Sequence, residues 1–500
     1  MTTTFSLLQE PWIPLIANGG TRAFGSLRDT LLRPAAWQGI GTSNPIEALA
    51  LHRLLLAICH RGIGPGDPED RADLLEDWPS QRLEDYLDCW AERFDLFHPE
   101  HPFLQVPGLA EAGLKPVPWT RLAPARSSGA ERILWDRSLD AHPEVITPAQ
   151  AAVTLVAYLQ FTPSGLVRAL RSSAEQGPAC GLLLTLPTGS TLQETLALSL
   201  VPQTEDDHDL DQASWENAAL TIEALKTKDS ATKPLRGPAD RYTWLSRALL
   251  LTPGASITHL FCGAGLAPAL SSTPDPMSAV VSGKKSSFPL KLREDRAMWR
   301  DFHVLTGDRS KGSEPPRVVS AAASIRRSQD DYSPLPLLTG GLLPDQAKIV
   351  LWRFEERHVS PKLLAGQGEA VDVANKALEQ AESTGNQLRK ALFSLCSAWL
   401  QNGGERSPAA KDVSALLHST QAMAHYWAAL EPAFWQLVDQ LGQGQDGHQA
   451  LENWRTILRQ VVVRRGWDQA KRSLGDDGRA LAAAGRSGKV LGKVFKVIAA

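Results

Sequence analysis

Apolar side chains recur every three or four residues along the last third of this chain, and no such period runs through the part before it. Beyond residue 366, Leu388, Leu392, Leu395 and Trp399 fall on one helical face, and Met423, Trp427, Leu430, Phe434 and Leu437 form a 4-3-4-3 stripe. Leu451, Trp454, Leu458 and Val461 repeat the spacing, and Leu491, Val494, Phe495 and Ile498 close the chain. Breaks at Asn402-Gly-Gly404, from Gly442 to Gly447, and at Gly475-Asp-Asp-Gly478 separate four such segments. The pattern predicts a four-helix bundle over 366–500.

Residues 1–365 read as a larger mixed α/β domain, so the fold class is α+β. Phe5 to Ile16 is a candidate strand closed by the turn signal Asn18-Gly-Gly20, and Pro11 and Pro14 make it an edge strand or a bulged one. Asn44-Pro45-Ile46-Glu47 supplies a cap, a proline at the first helical position and an acid at the third, ahead of a leucine-rich run to His60. From 110 to about 365 short apolar runs alternate with Pro-, Gly- and Ser-rich stretches. Leu182 to Leu184 predicts a strand, 240–251 another ordered element, and the charged stretches 203–212 and 225–241 predict surface loops.

Composition narrows the class. Apolar residues at 43% and charged residues at 21% suit a globular protein of two or three domains, and fifteen tryptophans suit helix packing with large anchors. No apolar run approaches a membrane span and no basic leader opens the chain, so a cytoplasmic protein is expected. Five scattered cysteines, never Cys-x-x-Cys, argue against a disulfide framework or a cysteine zinc site. The net charge of -3 conceals a gradient, because residues 451–500 hold eleven Lys or Arg against Glu452, Asp468, Asp476 and Asp477. The basic pairs Arg326-Arg327, Arg464-Arg465 and Lys471-Arg472 would track a nucleic-acid strand or stand as solvated helix faces.

Enzyme templates fare poorly. His98, Glu100 and His101 invite the reading of a metal-dependent hydrolase, but the histidines are three apart with Pro99 between them and Pro102 after, which no continuous zinc-binding helix allows. Gly-x-Ser-x-Gly is absent, Gly283-Lys-Lys-Ser286 departs from a phosphate loop, and Gly263-Ala-Gly265 lacks a third glycine. No catalytic residue, metal or cofactor is expected.

A set of motifs in order carries a more specific signal: Phe5-x-Leu-Leu-x-Glu-Pro-Trp-Ile-Pro14, the Asn44 helix start, Phe94 to Gly108, Tyr242-Thr-Trp-x-Ser-Arg247, Asp275-Pro-Met277 and Arg293-x-Asp-Arg-x-x-Trp-Arg300. Together they resemble the CasA family, the large subunit of the type I-E CRISPR surveillance complex Cascade. The resemblance implies a non-catalytic subunit beside the 5′ handle of the CRISPR RNA, bound to the other Cascade subunits. Such a subunit recognises the protospacer-adjacent motif (PAM) of double-stranded DNA from the minor groove, starts strand separation and helps recruit a helicase-nuclease. It implies a glutamine wedge at Gln346, in Gly340-Gly-Leu-Leu-Pro-Asp-Gln346, where a helix-start glutamine is the plain alternative. An amide side chain suits a wedge, because it offers donors and acceptors to unpaired bases without a charge to desolvate. It also implies a minor-groove loop at Ser164 and Gly165, otherwise a simple turn, and a guide-handle loop with Trp135 and Arg137, otherwise a buried Trp and a surface Arg. The family's lysine finger has no counterpart near Gly263-Ala-Gly265. Lys284 and Lys285 are the nearest candidates for phosphate or minor-groove contacts. The histidines of 94–108 are expected to fix a Pro-bounded turn.

Overall fold

The computed structural model describes residues 4–123, 142–283, 286–307, 312–346, 348–366 and 368–499. The chain forms two compact units. The first comprises Met1–Arg296, Arg309–Asp331 and Leu335–His358; the second comprises Ala297–Asp308, Tyr332–Pro334 and Val359–Ala500. A single cut after residue 365 is therefore too simple, because two short earlier segments pack with the C-terminal helices.

The second unit is built as its periodicity predicts. Long helices run over Glu369–Gln401, Ala422–Gly442, Gly447–Val461 continued through a π-helical turn, and Gly478–Ala499. A short helix, Ala410–Ser419, is added before the second of them. Leu388, Leu392, Leu395, Leu430, Phe434, Trp454, Leu458, Val494 and Ile498 are all buried. The segment brought from 297–308 puts Trp299 against Phe434, with ring centroids 5.3 Å apart, and lays the Arg300 guanidinium 3.6 Å over Trp427 while Nε donates to Glu382 at 3.0 Å. The motif at 293–300 thus ends in anchors of this helical core.

The first unit is mixed. Ile13–Ala17 lies in the middle of a three-stranded sheet, between Arg22–Gly25 and Trp37–Ile40, with a register shift at Ile16 and Ala17. It is bulged as expected but not an edge; Pro11 falls before the strand, so only Pro14 lacks a ladder donor. Asn44 caps Pro45–Ile63, its Oδ1 accepting from Ile46 N at 3.1 Å while its amide donates to Glu47 at 3.1 Å. The charged stretches predicted as loops carry short helices instead: Glu205–Leu210, with the Thr204 cap and three acids in its first turn, and Lys228–Ala231, with the Thr227 cap. Threonine caps and first-turn acids offset their low apolar content.

Two motifs prove to be one buried network. Arg53, fully buried, donates to both Asp275 oxygens at 3.2 and 2.9 Å and to Gln160 Oε1 at 2.8 Å, and its guanidinium lies 4.2 Å over the Tyr242 ring. Gln160 Nε2 donates on to the carbonyls of Arg241 and Tyr242. Burial pushes the Asp275 carboxyl up, but Arg53, Arg241 and the Met277 N–H outweigh it and hold it below the usual carboxylate range.

Candidate nucleic-acid interface

Gln346 stands at the end of a long antiparallel ribbon, Leu335–Asp345 and Lys348–Val359, whose first strand also pairs with Leu184–Pro187. The Gly340-Gly341 pair is where the ribbon crosses the core: a Cβ at Gly341 would run into the Leu182 carbonyl, and one at Gly340 would come 2.7 Å from the Arg353 carbonyl. Five residues on, about 16 Å at strand rise, the chain turns and Gln346 adopts φ +54° with its side chain exposed. A non-glycine residue in this region is uncommon and costs about 1–2 kcal/mol. Gln346 is thus a hairpin-turn residue and starts no helix.

The turn opens onto a cleft of ≈ 1620 Å³. One wall is the face of Pro148–Phe161 and the loop that follows it, with Ser164, Gly165 and Leu166; another is the N-terminal sheet, with Arg22 and Phe24; Arg121 and Lys348 add charge. Gln346, Ser164 and Gly165, distant in sequence, therefore line one cavity. Lys348, Arg22, Arg121 and the exposed Phe24 and Leu166 were missed from sequence, and only Lys348, two residues past the glutamine on the same ribbon, had a local cue.

The loop is held by its neighbours in the fold. Thr162 ends the helix, and Gly165–Ala169 and Arg171–Ala174 form a short hairpin turning at Leu170. Arg247, only 2% exposed, donates to Pro163 O and Glu175 O at 2.5 Å each and to Ser246 O at 2.8 Å, and Ser246 Oγ donates to Leu159 O at 2.6 Å. The Tyr242–Arg247 motif thus pins both ends of the cleft loop. Gly263 and Gly265 serve the same assembly: Leu170 packs over Gly263, and Arg171 donates to the Gly265 carbonyl. The site where a lysine finger was sought is a backing strand of this hairpin.

Among the described residues, no histidine or cysteine lines the cleft, and its single carboxylate, Glu47, accepts from Thr42 Oγ1 at 2.7 Å and from Asn44. The cleft can bind a polyanion through cations, amides and apolar surface, and holds no paired acid and base. Lys284, Lys285, Trp135 and Arg137 lie outside the described residues.

The hydrolase alternative finds no support. His98 Nδ1 accepts from the backbone N–H groups of Glu100 and His101 at 3.2 and 3.0 Å, which uses that lone pair to close the Pro-bounded turn. Among the described residues no group of three His, Cys, Asp or Glu is placed to hold a metal. The segment's work is structural: Leu96 N donates to Phe5 O, Val106 N to Leu249 O, and Gln105 bridges Leu96 O and Leu251 N, while Phe103 stacks on Trp215 and Phe94 packs against it at a tilt.

The fold defines an α+β protein with a helical C-terminal unit and a cleft lined by Arg22, Arg121 and Lys348, and its relatives specify the family. The family described as CRISPR-associated protein Cse1 matches residues 6–465. A CasA/Cse1 protein of Thermus thermophilus is 33% identical over 98% of this chain and 97% of its own. The crystal structure of Thermus thermophilus CasA superposes with a TM-score of 0.86 at 31% identity, covering 98% of this chain and 99% of that one. Thermobifida fusca Cse1 shares the fold, with a TM-score of 0.78 at 22% identity over 99% of this chain and 98% of that one. The chain belongs to the CasA/Cse1 family of CRISPR-associated proteins.

Proposed function

We propose that this chain is the large subunit of a type I-E CRISPR surveillance complex that recognises the PAM of duplex DNA from the minor groove and begins strand separation at Gln346. The observation that carries the reading is the convergence of Gln346 on Ser164 and Gly165 in one basic cleft. In support, a chain of a CRISPR RNA-guided surveillance complex shares the fold, with a TM-score of 0.76. Glycine at 165 leaves room for sugar and base to approach the backbone, and the strained turn presents an amide at the tip of a ribbon, where unpaired base edges would meet it. Arg22, Arg121 and Lys348 supply phosphate contacts, which give affinity without sequence choice.

In this reading the chain works in the cytoplasm without catalysis of its own, and no helix among the described residues is long and apolar enough to cross a membrane. Trp135 and Arg137 meet the 5′ handle of the CRISPR RNA by stacking and phosphate contact. Lys284 and Lys285 add phosphate or minor-groove contacts. The unit of Met1–Arg296, Arg309–Asp331 and Leu335–His358 carries the guide and PAM contacts, the C-terminal helices form the bundle, and the other subunits and a recruited helicase-nuclease complete the assembly.

The test is target binding by a reconstituted complex with Gln346→Ala and Gln346→Gly. Both are expected to slow opening of duplex targets and to leave binding to targets with an unpaired protospacer unchanged. The glycine variant separates strain from wedging, since it relieves the positive φ while deleting the amide. Equal loss on both targets, or none on either, removes the wedge.

A further inference from the structure

The first unit holds a second concavity, ≈ 330 Å³, away from the cleft residues. Its wall includes His101, Leu104 and Gln105 of the 94–108 segment and some of the residues of 210–220 and of 233–245. Leu104 lies at φ +52°, so this cavity, like the cleft, is bordered by a non-glycine residue in the left-handed region.

Its charges are one-sided. Arg93, Lys233 and Arg236 line it, and among the described residues none of the three forms an ion pair. Lys233 and Arg236 are exposed. The single carboxylate of the wall, Asp240, is largely buried and already accepts from Arg236 N at 2.9 Å and is pushed up to about 6 by burial. The uncharged part is largely apolar: Leu210, Ala219, Leu220 and Pro234 line the cavity, backed by the buried Trp215 and Trp244. Cations beside an apolar concave wall match a ligand with a phosphate and a flat ring. Ligand cavities begin at about 300 Å³, which suits one nucleotide and excludes a folded strand.

We propose that this cavity binds a single nucleoside phosphate, with Arg93, Lys233 and Arg236 on the phosphate and the apolar wall of Leu210, Ala219, Leu220 and Pro234 beside the base. The nucleotide is either free or the one unit of a single strand that turns into the cavity. Neither source involves Gln346, so the site stands independently of the wedge.

The experiment is calorimetric titration of the purified full chain with AMP, adenosine and an eight-nucleotide single-stranded RNA. It compares the unchanged protein with Lys233→Glu/Arg236→Glu, with Lys233→Gln/Arg236→Gln, and with Ala219→Trp, which fills the cavity without altering charge. Circular dichroism checks that each variant is folded, and the glutamine pair serves if the charge reversal is not. A free-nucleotide site gives one-to-one AMP binding, at least tenfold weaker for adenosine, and at least tenfold weakened by the charge pair and by Ala219→Trp. A strand-borne nucleotide gives weak AMP binding and RNA binding that Ala219→Trp reduces at least tenfold. Gln346→Ala changes neither. No saturable binding of AMP or RNA, or binding that falls with the charge pair but ignores Ala219→Trp, overturns the site in favour of unspecific surface attraction.

Discussion

Replacing Arg247 by Met is expected to release the cleft loop without unfolding the unit around it. The guanidinium is buried and donates to three carbonyls, those of Pro163, Glu175 and Ser246, at 2.5 to 2.8 Å. Each charge-assisted bond contributes about 1.5–3 kcal/mol. The net change is smaller than their sum, because the variant also removes a cation whose burial is costly, and Met refills part of the space. About 3–5 kcal/mol of local stability should go. Two of the three acceptors, at 163 and 175, flank the hairpin, so the loss should fall on the register Gly165–Ala174 and Leu166–Ser173. Native-state hydrogen exchange reads this directly, since 1.4 kcal/mol is a factor of ten. Amides of 165–177 should exchange about 100- to 4000-fold faster, while those of Pro45–Ile63 keep their protection. A reconstituted complex with this variant should open duplex targets as poorly as one with Gln346→Ala. Unchanged exchange at 165–177, or a uniform loss across the whole unit, would refute the idea that Arg247 acts as the pin of this loop.

Three further outcomes follow from the core. Arg53→Met strands the buried Asp275 carboxylate and should cost about 3–5 kcal/mol in urea unfolding, whereas Arg53→Met with Asp275→Leu should cost clearly less than the two singles combined; additive losses would mean that the pair is not coupled. Burial, opposed by the hydrogen bond to Ala48 O, pushes His52 down to about 4. The unfolded chain therefore takes up a proton that the fold refuses between pH 6.5 and 4, and about 3 kcal/mol present above 6.5 is lost on the way down. Folded His52→Leu protein should show a shallower loss of stability over that window, and an unchanged slope would sink the assignment. Gly385 lies within Glu369–Gln401, where Ala usually stabilises a helix, but a Cβ there would come 2.7 Å from the Trp427 ring. Gly385→Ala should lower the melting temperature, at about 1–3 kcal/mol, and a rise would show that Trp427 yields freely.

The helical unit was legible because its signal is local and repeated: one apolar residue per turn states both the helix and its buried face. The strand at Ile13–Ala17 was legible as a strand but not in its place, since sheet order depends on partners that Pro11 and Pro14 do not reveal. The cleft was read only in fragments. Gln346, Ser164 and Gly165 came from resemblance, and what joins them is a pairing between residues 184–187 and 337–340 and a set of Arg247 hydrogen bonds spanning more than seventy positions. Neither leaves a periodic trace. The helix expected as an alternative at Pro344 was a fair local reading, because Pro-Asp suits a helix start; the two glycines, needed where backbones nearly touch, decide for the ribbon.

The same distinction between local and assembled information resolves the charge of the chain. A net charge of -3 counts against a polyanion partner only if the charges are spread evenly. They are not. Asp29, Glu47, Asp67, Asp70, Glu194 and Asp446 sit at helix starts, where they cap N–H groups or lie in the first turn, and Glu205, Asp206 and Asp207 crowd another. Acids at such positions stabilise helices through the macrodipole, and of all of these only Glu47 reaches the cleft. Cations, by contrast, line the cleft and the smaller cavity: Arg22, Arg121 and Lys348 in one, Arg93, Lys233 and Arg236 in the other. Screening limits each charge to about 10 Å in ordinary buffer, so a phosphate entering either cavity is governed by these local cations more than by the acidic average.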